Sequence, residues 1–236
     1  MMVQAAISAD IVSSSSLSIE EKSALNQSIR HFLSELENDD TTKQWGRIVK
    51  GDAVEIFMSD PHKALRTALR LKTLVKQMPL KDLVDETPEL KNKRILFKKY
   101  GIRMAVGLGE ITVADKERDM LDGEAIYYAG RLMEYQGTSQ KERAVVKNTL
   151  FFKAHNDSLT QQMNVLLGLI DVLLRKANAR QCEVLYQKLS GKTEMEIAEI
   201  LNIKQSAVNQ HSTAAGWNAL EQAVLYYETL NFENYG

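Results

Sequence analysis

The chain has 236 residues, of which 30 are basic and 31 acidic, so its formal net charge is −1. Apolar residues make up 44% and charged residues 26%, a balance that is typical of folded globular proteins and excludes a largely disordered chain. The nearly neutral charge excludes a general electrostatic attraction to nucleic acid, so any basic patch is local.

The cysteine content and the apolar segments indicate where in the cell the protein is expected. Cys182 is the single cysteine, which excludes a disulfide framework within the chain and favours a reducing compartment. The first residues, "MMVQAAISADIV", lack the basic start and the long apolar core of a signal peptide. The most apolar run, "VLLGLIDVLL", is too short to span a bilayer and contains Asp171. We expect a cytoplasmic protein without a membrane segment.

The first two elements are a strand and a helix. Residues 3–9 are a buried apolar run that ends at Asp10. After "SSSSLS", Ser18 and Glu21 have the spacing of a capping box. Apolar residues then recur at helical spacing, which predicts an amphipathic helix over residues 18–37.

A hairpin and a second helix follow. The run "WGRIVKGDAVEIFM" places Gly51 and Asp52 between two apolar strands, which is a hairpin signal. In "DPHKALRTALRLKTLVKQM", Asp60 is the predicted N-cap and Pro61 the first helical residue.

The next elements complete a mixed domain. Residues 79–99 are charged and predict a long excursion. "YGIRMAVGLGEITV" predicts a strand or hairpin, "EAIYYAGRLMEYQ" a helix and "RAVVKN" a short strand. This order is the split βαβ arrangement of ferredoxin-like domains. From about residue 159 only helices are predicted, so the fold class is α+β, with a ferredoxin-like domain over residues 1–155 and an all-α helical domain over residues 156–236.

Two aspartates are candidate metal ligands. In a split βαβ sheet the first strand is central and pairs with the hairpin, so Asp10 and Asp52 can converge. Each alone also suits an ordinary turn, but two neighbouring carboxylates repel unless a cation such as Mg²⁺ joins them. The adjacent serines, Ser13 and Ser14, offer hydroxyl and backbone N–H groups to a phosphate.

Four segments in order resemble the class III nucleotide cyclase domain. They are "SADIVSSSSL", "RIVKGDAVEIF", "YGIRMAVGLGEITVAD" and "DGEAIYYAGRLME". The resemblance implies that Asp10 and Asp52 hold metal ions, that Arg131 stands at the catalytic arginine position, and that a nucleotide is the ligand.

Other positions depart from that family. Ile48 replaces the purine-reading lysine, Tyr127 replaces the asparagine that stabilises the transition state, and Met120 replaces the purine-reading aspartate, although Asp119 and Asp122 flank it. The final hairpin with its phosphate-holding lysine is missing. Since one oxyanion-stabilising donor is worth about 10² to 10³ in rate, these departures imply a catalytically degenerate domain.

The segment "GKTEMEIAEILNIKQSAVNQHSTAAGW" has helix-turn-helix spacing. Ala198 suits a close helix crossing, and Asn202 tolerates the left-handed backbone of a sharp turn. With "ARQCEVLYQKLSG" it resembles the DNA-binding region of bacterial sigma factors and LuxR-type regulators; an αα-hairpin in a helical bundle is the alternative. The second helix would present polar side chains to DNA, and these can form hydrogen bonds with bases or phosphates. The residues are Lys204, Gln205, Ser206, Asn209, Gln210 and Thr213.

Charge limits the strength of DNA binding by this half. Residues 160–236 hold six basic and eight acidic side chains, whereas affinity for DNA rests mainly on phosphate neutralisation. A homodimer would double the contacts. "GWNALEQAVLYYETL", with Leu220, Val224 and Leu225 on one face, could pack on "VLLGLIDVLL" within the chain or across a two-fold axis.

The whole order of segments resembles the bacterial SatD family, which implies a C-terminal helix-turn-helix. In that family basic residues usually follow "QSAV", where this chain has His211, Ser212 and Thr213. The sequence therefore predicts a DNA-binding regulatory protein with a degenerate cyclase-like sensor or interaction domain. The alternatives are a divergent metal-dependent nucleotidyl cyclase or phosphoryl-transfer enzyme that uses Mg²⁺, and a protein-interaction adaptor.

Overall fold

The structure is a computed structural model, and it describes residues 3–39, 41–49, 51–81, 87–138 and 148–232. Its strands are β1 (Gln4–Ile11), β2 (Gln44–Val49), β3 (Ala53–Met58), β4 (Ile102–Gly109), β5 (Ile111–Asp115), β6 (Met120–Gly123) and β7 (Leu150–Lys153). Its α-helices are α1 (Ile19–Glu37), α2 (Ala64–Lys76), α3 (Pro88–Tyr100), α4 (Glu124–Thr138), α5 (Asp157–Lys176), α6 (Ala179–Leu189), α7 (Glu194–Leu201), α8 (Gln205–Ala214) and α9 (Trp217–Glu228).

A mixed five-stranded sheet forms the centre of the N-terminal half. Its strand order is β2-β3-β1-β4-β7. Strand β1 pairs antiparallel with both β3 and β4, and β7 pairs parallel with β4. The α+β class is confirmed. The strand expected within "RAVVKN" falls almost entirely on residues outside the described part of the chain, and β7 begins shortly after it.

Helix α1 begins where the sequence predicts. The Ser18 hydroxyl accepts from the Glu21 N–H, and the Glu21 carboxylate accepts from the Ser18 N–H, so both halves of the capping box are present. One face of the helix, which includes Leu25, Ile29 and Phe32, is buried against the sheet. Helix α2 lies on the same side, and its residues Leu65 and Leu69 join the same core.

The predicted excursion over residues 79–99 is wrong for its second half, which forms α3. Thr87 caps this helix by accepting from the Leu90 N–H, and Pro88 occupies the first turn. Such a cap and proline pair is a helix start signal. Phe97 is buried in the main core, and this apolar contact outweighs the high charge of the segment.

Helix α4 covers the opposite face of the sheet. It packs closely on β4: a methyl group at Gly107 would lie 2.1 Å from the Ala125 carbonyl oxygen, so only glycine fits there. Ala105, Ala129 and Phe151 form a small separate core beneath the helix. The sheet is thus enclosed by helices on both sides.

The helical C-terminal half shares the main core with the sheet. Ile170 of α5 and Leu220 and Val224 of α9 belong to the same buried cluster as Ile7 of β1. Helix α9 therefore packs within the chain, as one of the two predicted alternatives, and Leu225 is left exposed. The boundary at residues 155 and 156 stays a prediction. Within the described residues, no helix is both long and apolar enough to cross a membrane.

Candidate ligand site and nucleic-acid interface

Strand pairing brings the two predicted metal ligands to the same end of the sheet. Asp10 lies opposite Ala53 in the β1–β3 ladder, and the Ile11 N–H donates to the Asp52 carbonyl oxygen at 3.1 Å. The convergence of Asp10 and Asp52 that the sequence suggests follows from this register.

Each of the two carboxylates has a partner within the chain. The Arg103 guanidinium on β4 donates to Asp10 Oδ2 at 3.0 Å, and the Ser14 hydroxyl donates to Asp52 Oδ2 at 2.8 Å. Burial raises the pKa of Asp10, Arg103 opposes that rise, and the nearby charge of Asp52 adds to it. The Arg103 guanidinium is thus a cation that lies beside Asp10.

A cavity of about 220 Å³ opens beside Asp52 on the α1 side of the sheet. Its polar lining comes from Ser14, Lys22, Asn26 and Asp52, and Asp10 is not part of it. Ligand pockets for drug-sized molecules run from about 300 Å³ upwards. The volume therefore suits a phosphate-sized group rather than a whole nucleotide.

The serine turn before α1 shapes one wall of this cavity. Ser13 has left-handed backbone angles, φ 56° and ψ 37°, and starts a 3₁₀ turn over Ser14–Ser16. The Ser16 N–H donates to the Ser13 carbonyl oxygen at 2.9 Å. The Ser14 hydroxyl is held by Asp52, so the phosphate-binding role of Ser13 and Ser14 stays a prediction.

The fit of a divalent cation to this site is limited by Arg103. Among the described residues, no group of three or more His, Cys, Asp or Glu side chains lies together as a metal would need. Mg²⁺ often binds through only two carboxylates and water, but here it would compete with a guanidinium for Asp10. The magnesium site at Asp10 and Asp52 stays a prediction.

The positions of the cyclase catalytic residues have other contacts. The Arg131 guanidinium on α4 stacks over the Tyr127 ring at 4.4 Å from its centroid, and both side chains are exposed. Ile48 lies opposite Val54 and packs against the main core. Arg131 and Tyr127 therefore face solvent, and Ile48 packs against the core.

The β5–β6 hairpin is joined to the sheet by a charged residue that no sequence motif indicated. Arg47 of β2 pairs with Glu55 on β3 at 2.7 Å and with Asp119 at 2.9 Å. Met120, which the sequence resemblance aligns with a purine-reading aspartate, follows Asp119 and is half exposed. The hairpin is thus held by Arg47.

Sequence reasoning missed Arg103, Lys22 and Asn26. Arg103 is a charge inside the otherwise apolar strand "IRMAVGLG", which is a weak signal. Lys22 and Asn26 stand one turn apart at the edge of the apolar face of α1. Their relation to Asp52 depends on how the helix crosses the sheet, and spacing in the sequence does not contain that information.

Helices α6, α7 and α8 pack around a small core of their own. Val184, Ile197 and Val208 contribute one buried side chain from each helix. Asn202, between α7 and α8, has the predicted left-handed backbone, with φ 50° and ψ 52°. The sharp turn lets α8 cross α7 while its polar face points outward.

All six predicted DNA-contacting side chains are exposed on α8 or at its N-cap. They are Lys204, Gln205, Ser206, Asn209, Gln210 and Thr213. A glutamate lies beside them, however. Lys188 donates to Glu194 Oε1 at 3.1 Å, and this bond, with further ones from Gln205 and Asn209, lowers the pKa of the Glu194 carboxyl. A negative charge therefore adjoins the surface of α8.

Comparison with known proteins gives a limited result. No protein-family model matches the sequence, and no curated protein matches it significantly. Among solved structures, two of a bacterial light-regulated adenylyl cyclase are similar. One is 18% identical with a TM-score of 0.38, covering 64% of this chain and 43% of its own. The other is 17% identical with a TM-score of 0.40, covering 70% of this chain and 80% of its own.

This chain thus spans less than half the length of the first of these adenylyl cyclase structures. At such identities and scores the likeness says nothing about activity.

Proposed function

We propose that the protein is a DNA-binding regulator whose N-terminal half is a catalytically degenerate, cyclase-like sensor. The observation that carries the proposal is the three-helix unit α6–α8. It has its own core of Val184, Ile197 and Val208, a sharp turn at Asn202, and six exposed polar side chains on α8 or at its N-cap. These features support a helix-turn-helix unit.

The side chains of α8 suit direct reading of bases. Gln205, Asn209 and Gln210 carry amides, which can bond adenine bidentately in the major groove. Lys204 stands at the start of the helix, where a basic group meets the phosphate backbone. With so few basic groups, one copy binds weakly, and a dimer is needed for useful affinity.

The contacts of Asp10 and Asp52 support a sensor rather than an enzyme. Arg103 forms an ion pair with Asp10, and the Ser14 hydroxyl donates a hydrogen bond to Asp52. Tyr127, which stands where a cyclase has a transition-state donor, stacks on Arg131 instead. The cavity next to Asp52 offers Lys22 and Asn26 to a small anionic group. We assign to this cavity the ligand that modulates DNA binding.

A physical connection exists between the two halves. Helix α2 packs on α6, and Arg66 of α2 pairs with Glu228 of α9 at 2.6 Å. A ligand changes DNA affinity only if it binds two arrangements of these contacts with different affinity. The contacts of α2 with α6 and α9 connect the two halves, so they can transmit this difference in ligand affinity to α8.

Binding to DNA is tested by selecting the duplexes that the protein binds from a random-sequence pool. The purified protein is incubated with a random-sequence duplex pool, bound duplexes are sequenced, and affinity for the enriched site is measured by fluorescence anisotropy at several salt concentrations. Loss of one bidentate contact costs about 1–3 kcal/mol. We therefore expect Gln205→Ala and Asn209→Ala to bind about 5-fold to 160-fold more weakly.

The matched control is Gln222→Ala, which changes an exposed glutamine on α9 and should bind as wild type does. Absence of any enriched sequence, or equal losses in all three variants, would overturn the proposal and favour the adaptor alternative.

The enzyme alternative is tested separately. Wild type is incubated with Mg²⁺ and each nucleoside triphosphate, and products are resolved by chromatography. We expect no turnover above that of Asp52→Asn. In parallel, thermal unfolding is followed with pyrophosphate, Mg²⁺ and nucleotides, since a ligand at 100 times its Kd stabilises by about 2.7 kcal/mol. A metal-dependent product that wild type forms and Asp52→Asn does not form would overturn the sensor proposal and support the enzyme alternative.

A further inference from the structure

A second cavity, of about 530 Å³, lies where the N-terminal half meets the helical half of the chain. One wall is formed by α2 and the end of α1, and the other by the turn after α6 and by Glu228 at the end of α9. Its volume falls within the range of about 300–1,000 Å³ that is typical of ligand pockets. It shares no lining residue with the cavity beside Asp52. A whole small organic molecule would fit here and would contact both halves.

Three cations line this cavity. Lys63 precedes α2, and Arg66 and Arg70 stand one turn apart on one face of that helix. Two carboxylates, those of Asp39 and Glu228, line it as well. Like charges one turn apart on a helix repel each other, and an anion between the two arginines would remove that repulsion. The excess of cations over carboxylates therefore favours an anionic ligand.

Arg66 is held at the cavity wall by part of its hydrogen-bonding capacity. A guanidinium has five N–H donors. Those of Arg66 reach the two Glu228 carboxylate oxygens at 2.6 and 3.0 Å and the Leu189 carbonyl oxygen at 3.4 Å. These contacts with the described residues use three of the five donors, which leaves two for a ligand.

Arg70 is held in a similar way, one turn further along α2. Its guanidinium donates to Ser190 Oγ at 3.0 Å and to Glu35 at 3.3 Å, and it also bonds Tyr186. It lies 5.2 Å from the centroid of the Phe32 ring and 5.6 Å from that of the Tyr186 ring. These contacts fix the guanidinium before a ligand arrives, and they too leave N–H donors over within the described part of the chain.

The remaining lining suits an organic group attached to the anion. Leu36 and Leu189 supply apolar side chains. Gln44, at the start of β2, also lines the cavity, and its buried Oε1 has no hydrogen-bond partner among the described residues. An unpartnered buried acceptor destabilises a fold, and a hydroxyl or amino group of a ligand would satisfy it if the amide turned towards the cavity. Inorganic phosphate alone would leave these groups without a contact.

We propose that this cavity binds a small phosphorylated organic molecule, between a sugar phosphate and a nucleotide in size, with its phosphate between Arg66 and Arg70. A phosphate carries three strong acceptor oxygens, so it can accept paired hydrogen bonds from both guanidinium groups at once. Ser190, which accepts from Arg70, lies in the turn that leads to α7. The ligand thus joins α2 to the α6–α8 unit. The inference goes beyond the proposed function, because this binding requires neither DNA nor the cavity beside Asp52.

The first experiment compares four probes by isothermal titration calorimetry at constant ionic strength. The probes are ribose 5-phosphate, AMP, inorganic phosphate and unphosphorylated adenosine. We expect ribose 5-phosphate and AMP to bind more tightly than inorganic phosphate, and adenosine not to bind. No binding of any of the three phosphates, or equal affinity for inorganic phosphate and the organic phosphates, would overturn the proposal.

The second experiment repeats the titrations with variants whose expected effects have opposite signs. Arg66→Gln and Arg70→Gln each lose charged donors, so binding should weaken by about 10-fold to 150-fold. Glu228→Gln removes a carboxylate that competes for Arg66, so it should bind several-fold more tightly. The matched control is Arg118→Gln, because the Arg118 side chain is 79% exposed and lies outside the cavity; it should bind as wild type does.

Circular dichroism checks that the variants fold, and a gain of affinity in Glu228→Gln cannot arise from damage to the structure. Equal or weaker binding by Glu228→Gln would overturn the proposal. So would binding that Lys22→Gln abolishes while Arg66→Gln retains it, because the ligand would then lie beside Asp52.

The outcomes also separate this site from the proposed function. Binding that follows the Arg66, Arg70 and Glu228 variants in a protein that enriches no DNA sequence upholds the site and rejects the DNA-binding function. An enriched DNA sequence in a protein that binds none of the phosphates upholds the function and rejects the site.

Discussion

Lys72 Nζ lies 3.5 Å from Asp171 Oδ1, and both side chains are completely buried. Thr149 joins them: its hydroxyl accepts from Lys72 at 2.6 Å and donates to Asp171. Lys72 also donates to the Ile102 carbonyl oxygen at 2.9 Å. This network links α2, β4 and α5, so it connects the sheet with the helical half of the chain.

Replacement of Lys72 by methionine should destabilise the protein strongly. Asp171 would be left as a buried charge without its cation, and such broken pairs cost about 3–5 kcal/mol. The double variant Lys72→Met/Asp171→Leu should lose clearly less than Lys72→Met alone, because no buried charge is then uncompensated. Urea unfolding monitored by circular dichroism gives both values. A double variant at least as unstable as Lys72→Met would show that the charge pairing is not the cause.

Glu21 should make the protein sensitive to acid. Hydrogen bonds from Arg94, at 2.9 Å to each carboxylate oxygen, lower the pKa of Glu21 from 4.5 to about 2. The folded pKa lies below the unfolded one, so this stabilisation is present above pH 4.5 and is lost as the pH falls from 4.5 to 2. The difference corresponds to about 3 kcal/mol.

The variant Glu21→Gln tests that expectation, because glutamine keeps the capping-box geometry without the charge. Its free energy of unfolding should be lower than that of wild type at pH 7, and the gap should close towards pH 2. Glu20→Gln, at an exposed neighbouring position, should show little change. A constant gap between Glu21→Gln and wild type across this pH range would contradict the linkage.

Removal of Arg103 should expose a latent site for divalent cations. In Arg103→Met, Asp10 loses its guanidinium partner, so the repulsion between Asp10 and the nearby Asp52 is no longer opposed. Millimolar MgCl₂ should then raise the melting temperature of this variant more than that of wild type, with NaCl at equal ionic strength as the reference. The extra shift should disappear in Arg103→Met/Asp10→Asn. Equal Mg²⁺-induced shifts of the melting temperature in wild type and Arg103→Met would show that Arg103 does not compete with the cation.

Glu194 should weaken DNA binding. Its carboxylate adjoins Gln205 and Asn209 on the surface assigned to DNA, where a negative charge repels phosphates. We expect Glu194→Gln to raise affinity for the selected site roughly 3-fold to 10-fold at low salt and less at high salt. Anisotropy titrations measure this directly. Glu221→Gln, which changes a glutamate on α9, should leave affinity unchanged, and a similar gain there would indicate a general charge effect.

Local sequence signals predicted the elements whose causes are local. The Ser18 and Glu21 capping box, the Gly51–Asp52 hairpin and the left-handed Asn202 were all confirmed, because each depends on backbone preferences within a few residues. Helix α3 was not predicted, although Thr87 and Pro88 are a typical N-cap and first-turn pair. The charge of that segment masked an apolar face whose burial is visible only once α3 packs on the core.

The sequence by itself determined the α+β class, the hairpin that carries Asp52, and the small residues and turn that shape α7 and α8, since these follow from periodicity and capping. Only the tertiary structure decided that Arg103 stands beside Asp10, that Lys72 meets Asp171, and that Val165, Leu169 and Val172 remain exposed. The first two relations join residues far apart in the chain, and the third depends on what packs against α5. Strand register and helix crossing set them, and those depend on how the whole core fills its volume.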